Sequence, residues 1–279
     1  MSLISNISLI DDILLNPTPD FAGKQTANPQ DIKITQLYQH LELYSEGEPP
    51  AQTIFVQGQS AQSPLASVQL EDMADANSQL ILIDPPTDTP DKFRLEGNVA
   101  ALYTCPLSDA PQIEGLPMLE NQPGGVAHIR IGVHFLDVYT QQTGAIVHLP
   151  ALGIICGGNF GSDATLPKLI SGSDGMSELD TLRLLARLVR SQRLQLYIPR
   201  IGEPKQDVLT VMQRLADDVA YLHGLRRVVG PLVERRDSLE QILEIGASLQ
   251  PASRSSLLSA EIHQHNLHTL YQSSLTPLS

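Results

Sequence analysis

Two stretches of sequence decide the fold: residues 80–84 read LILID, and residues 99–110 read VAALYTCPLSDA. In both, a short aliphatic run ends in polar, small or proline residues. Apolar runs of about four to eight residues bounded by turn residues are typical of buried β-strands. We therefore predict two strands that end in polar loops, one at Asp84 and one near Thr104.

The same pattern of short apolar runs and turn residues continues along the middle of the chain. It predicts further strands at residues 54–56, 129–131, 135–139, 146–149, 154–156 and 194–199. A turn at Gly132 is expected to separate the second of these from the third. From Ser177 onward the apolar residues recur every three or four positions, which is typical of amphipathic helices. The sequence predicts one helix with Ser177 as its N-cap and three more over residues 208–222, 238–245 and 256–271.

The composition limits the class of protein. The chain has 279 residues, of which 42% are hydrophobic, enough for one large α/β domain or two modest ones. Its uninterrupted apolar runs are far shorter than the roughly 18 to 20 residues of a membrane span. The N-terminal stretch carries Asp11 and Asp12 and has no basic region before an apolar run, unlike a secretory signal. We expect a cytoplasmic protein without a membrane span.

The negative charge lies in the first half of the chain. Residues 1–150 hold 5 Lys and Arg against 18 Asp and Glu, whereas residues 151–279 hold 13 of each. Nucleic acids are bound through Lys and Arg, and single strands also through stacked aromatic side chains. With a net charge of −13 and no Trp, the sequence predicts no nucleic-acid partner. A protein or small-molecule partner stays open.

In the order and spacing of its segments, the chain resembles the metallo-β-lactamase superfamily over residues 31–271. The strand that ends at Asp84 is similar to the family's strand before the metal site. Residues 103–110 fall where the family has its Thr-His-x-His-x-Asp-His motif. Residues 136–150, 153–158 and 197–204 resemble the segments around the later metal ligands.

The resemblance implies the family's fold, an α/β four-layer αββα sandwich in which helices cover two facing sheets. It implies a domain over residues 31–279, preceded by an N-terminal arm at residues 1–30. The apolar stretch at residues 7–15 in this arm could supply a homodimer contact.

The residues at the family's ligand positions differ from the family's. Such sites bind metal ions through imidazole and carboxylate groups. The chain has, at these positions, Cys105, Leu107, Asp109, Ala110, Gln142 (or its neighbour Gln141), Gly158 and Ile201. Leu, Ala, Gly and Ile side chains offer no donor atom. The resemblance therefore implies a degenerate member that has lost the metal site and has no cofactor.

The family's chemistry is hydrolysis by metal-activated water. Loss of the ligands implies a non-catalytic pseudo-hydrolase that acts as a binding or scaffolding module. The alternative is a hydrolase with a rebuilt site, in which Cys105, Asp109 and Cys156 hold a soft metal ion or a thiolate acts as nucleophile. Both cysteines also fit the role of small buried hydrophobic residues.

The histidines are expected to be structural. His263, His265 and His268 lie in a predicted helix, where only the last two share a face. His128, His134 and His148 lie among the predicted strands. We expect these side chains to form hydrogen bonds or to lie on the surface.

Overall fold

The computed structural model of the protein describes residues 26–27, 32–59, 78–89, 95, 98–119 and 124–275. The predicted N-terminal arm at residues 1–30 lies outside the described residues, apart from Thr26 and Ala27. The proposed dimer contact at residues 7–15 also lies outside them. In the described part, no helix is long and apolar enough to cross a membrane.

The first sheet has six strands in the order β1-β2-β3-β4-β5-β6. All neighbours are antiparallel except β5 and β6, which are parallel. The strands are β1 (Thr26–Ala27), β2 (Ile32–Tyr38), β3 (Leu41–Glu46), β4 (Ala51–Gln59), β5 (Ser78–Ile83) and β6 (Asn98–Leu102). The LILI and VAAL runs are thus parallel neighbours, so the loops at Asp84 and Thr104 leave the sheet at the same edge.

β2 and β3 are additional to the strands that the sequence predicted. Their apolar residues alternate with polar ones, as in Ile32-Lys33-Ile34. Alternation is typical of strands with one buried face. The alternation is visible in the sequence, but neither strand contains a continuous apolar run.

The second sheet has five strands in the order β11-β10-β9-β8-β7, all antiparallel except the pair β10 and β11. The strands are β7 (Val126–Ile131), β8 (His134–Gln141), β9 (Gly144–Leu149), β10 (Ile154–Gly158) and β11 (Leu196–Pro199). All strands predicted in this region are confirmed. The turn at Gly132, whose φ is 55°, is confirmed as well.

The four predicted helices are confirmed. They are α1 (Met176–Ser191), α2 (Val208–Glu234), α3 (Leu239–Gly246) and α4 (Leu257–Leu275). Ser177 is not the N-cap of α1: that position is Gly175, with φ 89°, and Ser177 lies in the first turn. Asp207 caps α2 by accepting a hydrogen bond from the Thr210 amide, and Ser238 begins a capping box in α3.

The core has three layers of apolar side chains. The layer between the two sheets includes Leu41, Ile81 and Val147. A second layer joins the outer face of the second sheet to the four helices. A third covers the outer face of the first sheet, where segment 107–119 packs on β5 and β6. The predicted α/β sandwich is confirmed. Within the described residues, the four helices cover the second sheet and segment 107–119 covers the first, so the predicted covering by helices is seen on one of the two sheets.

Candidate functional site

Asp84 and Thr104 connect the ends of β5 and β6. The amide nitrogen of Thr104 donates to Asp84 Oδ1 at 2.8 Å, and its hydroxyl donates to Asp84 Oδ2. The Asp84 side chain is only 6% exposed. Burial raises the pKa of this carboxyl, against the opposing effects of Arg200 and of the hydrogen bonds from Thr104. The two residues therefore fix the start of the loop that carries the first group of predicted ligand positions.

Two glycines from the second sheet pack on the backbone of Thr104. A β-carbon on Gly144 would lie 2.1 Å from the carbonyl oxygen of Thr104, and one on Gly158 would lie 2.8 Å from the same oxygen. Both glycines have positive φ, 121° and 62°. Residues that carry a side chain rarely adopt this backbone conformation, and a side chain at either position would overlap Thr104. The resemblance places the family's aspartate at Gly158, where a side chain would overlap the backbone of Thr104.

The remaining aspartate is engaged elsewhere. Asp109 lies in a short 3₁₀ helix, Leu107–Asp109, and its Oδ2 atom is 2.8 Å from Lys168 Nζ. Partial burial acts to raise the pKa of Asp109, but the hydrogen bond and charge of Lys168 lower it overall. Leu107 is 44% exposed, and Ala110 is buried. The carboxylate therefore forms an ion pair at the surface.

Neither cysteine has the surroundings of a reactive thiolate. Cys105 is 1% exposed, and burial raises its pKa to about 11 despite the opposing charge of Arg200. Cys156 lies in the middle of β10 and packs between the sheets, and burial also raises its pKa. Thiols of this kind are protonated at neutral pH and behave as small hydrophobic groups.

The last two predicted positions also have structural contacts. Gln142 Oε1 accepts a hydrogen bond from Ser177 Oγ at 2.7 Å. Ile201 forms an isolated β-bridge with Ala51 of the first sheet. Among the described residues, no three His, Cys, Asp or Glu side chains are arranged to hold a metal ion. The donor set therefore does not fit the metal that the fold family implies.

Two cavities adjoin this region. The smaller, about 180 Å³, brings together Cys105, Leu107, Gln142 and Gly144. The larger, about 300 Å³, brings Ile201 together with residues from β2, β3, β4, the loop after β5 and the segment around Pro111. The predicted positions are thus divided between the two cavities, apart from Asp109, Ala110 and Gly158.

Arg200 is the functional candidate that the sequence did not reveal. It lies in the larger cavity, with Nε 4.0 Å from Asp84 Oδ1 and a side chain that is 26% exposed. The resemblance aligns residues 197–204 with the family's last ligand segment, and it places Ile201, not Arg200, at the ligand position. A single arginine after a strand carries no pattern that could have identified it.

The C-terminal histidines are structural, as expected. The ring of buried His263 contacts the Tyr221 hydroxyl at 2.9 Å and a backbone carbonyl of α3 at 3.0 Å. His265 Nε2 lies 2.9 Å from the carbonyl oxygen of Leu169. His268 is exposed.

Among the strand histidines, His134 and His128 form local contacts as expected, whereas His148 does not. His134 Nε2 lies 2.8 Å from the carbonyl oxygen of Gln39, and His128 Nδ1 lies 2.7 Å from Asp137 Oδ1. His148 is buried, and within the described residues neither of its ring nitrogens has a hydrogen-bond partner. Burial lowers the pKa of His148.

No protein-family model matches the sequence, and no curated protein is similar to it. The fold is similar to that of the inverting sec-alkylsulfatase Pisa1 from a Pseudomonas species, with a TM-score of 0.55 and 13% identity over 87% of this chain and 50% of that one. A double mutant of that sulfatase gives a TM-score of 0.53, 12% identity and coverages of 88% and 50%. For a metallo-β-lactamase from Pontibacter korlensis, the TM-score is 0.45 and the identity is 13%, over 66% of this chain and 99% of that one. The chain thus spans about half the length of the sulfatase structures.

Proposed function

Because the chain has the metallo-β-lactamase fold but, among its described residues, no donor set that fits the family's metal, we propose that it is a non-catalytic binding protein on a hydrolase scaffold. The observation that carries the proposal is the packing of Gly144 and Gly158 on Thr104. This packing leaves no space for a ligand side chain at position 158. Both the side chains at the ligand positions and the backbone packing at Gly158 therefore oppose a metal site of the family's type.

The chemistry of the remaining groups supports the same proposal. Hydrolysis in this family uses water whose pKa is lowered by a bound cation. Of the predicted ligand positions, Cys105 has a protonated thiol and Asp109 forms an ion pair with Lys168. Neither group is suited to activate water or to attack a substrate at neutral pH.

A hydrolysis assay with matched variants tests the proposal. The purified chain is incubated with Zn²⁺, Mn²⁺ or Fe²⁺ and with a sulfate ester, a thioester and a carboxylic ester. We expect rates equal to those of the metal and buffer alone. Turnover that disappears in Cys105→Ala or Asp109→Asn would establish the rebuilt hydrolase instead.

We also propose a cytoplasmic location and a protein or small-molecule partner, from the sequence features given above. A homodimer through residues 7–15 stays a prediction, which sedimentation of the full chain against a chain lacking these residues would test. An unchanged molecular mass would contradict it.

A further inference from the structure

We infer that the 300 Å³ cavity at Asp84 binds a small organic carboxylate through Arg200. This inference rests on the proposed function, because it names the ligand class of the binding module. It requires that Arg200 has hydrogen-bond donors to spare, that the backbone of Arg200 is held in place and that the cavity wall suits a small, singly charged organic ligand better than a doubly charged one.

The guanidinium of Arg200 has unused donors. Its Nε atom lies 4.0 Å from Asp84 Oδ1, which is an ion pair without a hydrogen bond. Among the described residues, the side chain of Arg200 forms no hydrogen bond. A guanidinium has five N–H donors in one plane, and two parallel donors match the two oxygens of a carboxylate.

The side chains of Thr53 and Gln52, which also line the cavity, already have partners in the protein. The hydroxyl of Thr53 donates to the backbone carbonyl of Asp84 at 3.0 Å. The side-chain nitrogen of Gln52, Nε2, donates to the carbonyl oxygen of Gly202 at 2.8 Å, and its side-chain oxygen, Oε1, accepts from the Ser45 hydroxyl. Arg200 is therefore the polar group best placed to bind a ligand.

The backbone holds Arg200 between the two sheets. Its amide nitrogen donates to the carbonyl oxygen of Gly158 in the second sheet at 2.8 Å. Its carbonyl oxygen accepts from the amide of Gln52 in the first sheet at 2.9 Å. A side chain carried by a fixed backbone loses less conformational entropy when it binds a ligand.

The charges of the cavity disfavour a multiply charged anion. Asp84 and Glu46 also line it, so two acidic side chains accompany one guanidinium. Their repulsion of an anion grows with its charge, so a doubly charged group such as phosphate is repelled more strongly than a carboxylate, whose single charge the guanidinium can match. The Asp84 oxygens accept from Thr104, so this carboxylate is already bound.

The rest of the wall favours an organic ligand of small size. It contains the apolar side chains Ile32, Pro85, Pro86, Pro111 and Ile201. A volume of 300 Å³ lies at the lower end of small-molecule sites. The ligand class is therefore a carboxylate with a short aliphatic or aromatic body.

Titration calorimetry with a matched set of probes tests the inference. The probes are acetate, benzoate and octanoate, with benzamide as neutral analogue, benzylamine as cation and inorganic phosphate as dianion. We expect at least one carboxylate to bind the natural protein, and we expect the neutral, cationic and phosphate probes to bind at least about tenfold more weakly. Absence of carboxylate binding up to millimolar concentration overturns the inference, as does tighter binding of benzylamine or phosphate.

Three variants assign the binding to this cavity. Arg200→Gln should weaken carboxylate binding at least about tenfold, and Arg193→Gln, at an exposed arginine outside the cavity, should leave it unchanged. Arg200 also neutralises Asp84, so Arg200→Gln changes more than the ligand contact. Ile201→Phe is therefore the second variant, because it fills the cavity and keeps the guanidinium. Binding that survives both Arg200→Gln and Ile201→Phe contradicts the site.

The outcome is separable from that of the proposed function. Metal-dependent turnover in the hydrolysis assay contradicts the proposed function whether or not benzoate binds. A folded, inactive chain that binds none of the carboxylates contradicts only the ligand class.

Discussion

Gly158 lies so close to Thr104 that a β-carbon at position 158 would be 2.8 Å from the Thr104 carbonyl oxygen and 3.2 Å from its β-carbon. Thr104 has little freedom to move away, because Asp84 accepts hydrogen bonds from both its amide and its hydroxyl. The close contact joins the loop after β6 to the end of β10. The edge to which the resemblance assigns the family's metal is thus a packed junction between the two sheets.

Alanine substitutions test this junction. We expect Gly158→Ala to destabilise the chain more than Gly172→Ala. Both glycines have positive φ, but nothing lies within 4 Å of a β-carbon at Gly172. The conformational cost alone is about 1 to 2 kcal/mol, and only Gly158→Ala adds the overlap with Thr104. Urea denaturation of both variants gives the comparison, and equal losses would show that the junction yields without cost.

Tyr103 and Tyr197 form a second matched pair. Both are buried, but the hydroxyl of Tyr197 donates to the carbonyl oxygen of Phe160 at 2.8 Å, whereas that of Tyr103 has no partner among the described residues. An unsatisfied buried polar group costs about 1 to 3 kcal/mol.

The two hydroxyls should therefore respond oppositely to removal. We expect Tyr103→Phe to raise the free energy of unfolding and Tyr197→Phe to lower it, each by about 1 kcal/mol. Thermal and urea unfolding of the two variants provide the measurement. A loss in Tyr103→Phe as large as that in Tyr197→Phe would mean that its hydroxyl does have a partner.

Cys105 should react slowly with alkylating agents at neutral pH. Its pKa is raised to about 11, and only the thiolate attacks iodoacetamide. In a Cys156→Ala background, we expect the rate to remain low at pH 7.5 and to rise through pH 9 and above. The urea-unfolded chain, with a thiol pKa of about 8.5, is the control. Rapid labelling of the folded chain at pH 7 would support a nucleophilic role for Cys105.

Arg254 and Asp218 form a buried ion pair that joins α2 to the 3₁₀ turn Ala252–Arg254, which precedes α4. Arg254 Nη1 donates to Asp218 Oδ1, and Asp218 Oδ2 accepts from the amide of Gly161 at 2.7 Å. Arg254→Met leaves a buried carboxylate without its cation, which typically costs about 3 to 5 kcal/mol. We expect the double variant with Asp218→Asn to lose less than the sum of the single losses, as measured by a double-mutant cycle.

The pH dependence of Arg254→Met gives a second readout of this pair. Burial raises the pKa of Asp218 from 3.8 to about 6 even with Arg254 present. A carboxyl with a raised pKa in the folded state stabilises the fold below its unfolded pKa, and this contribution is lost as the pH rises through the folded value. Without Arg254 the pKa rises further, so the variant should be destabilised more at pH 8 than at pH 5. A loss independent of pH would exclude an ionised Asp218 as its cause.

Local sequence patterns predicted the main elements because each pattern has a local physical cause. The LILID run ends a buried strand, and the apolar spacing after Ser177 fits a helix whose one face is buried. The N-cap was misplaced by two residues because Gly175, in a left-handed conformation, begins α1 without a side-chain cap. β2 and β3 were missed because alternation over six or seven residues is a weaker signal than a continuous apolar run.

The candidate site could be predicted only in part. The absence of ligand side chains at Leu107 and Ile201 is visible in the sequence. The contact of Gly144 and Gly158 with Thr104 is not, because it depends on how the two sheets bring three distant loops together. For the same reason the role of Arg200 was hidden: its cavity is formed by residues from both sheets and from loops far apart in the chain.

Metal titration of the intact chain tests the central claim most directly. Zn²⁺ and Mn²⁺ are added to the folded protein in a calorimeter, and the bound metal is measured after dialysis. We predict no stoichiometric binding at micromolar concentration, because a side chain at Gly158 would overlap Thr104 and because Cys105 and Asp109 do not fit a metal. One ion bound per chain, with binding lost in Cys105→Ala or Asp109→Asn, would contradict this account.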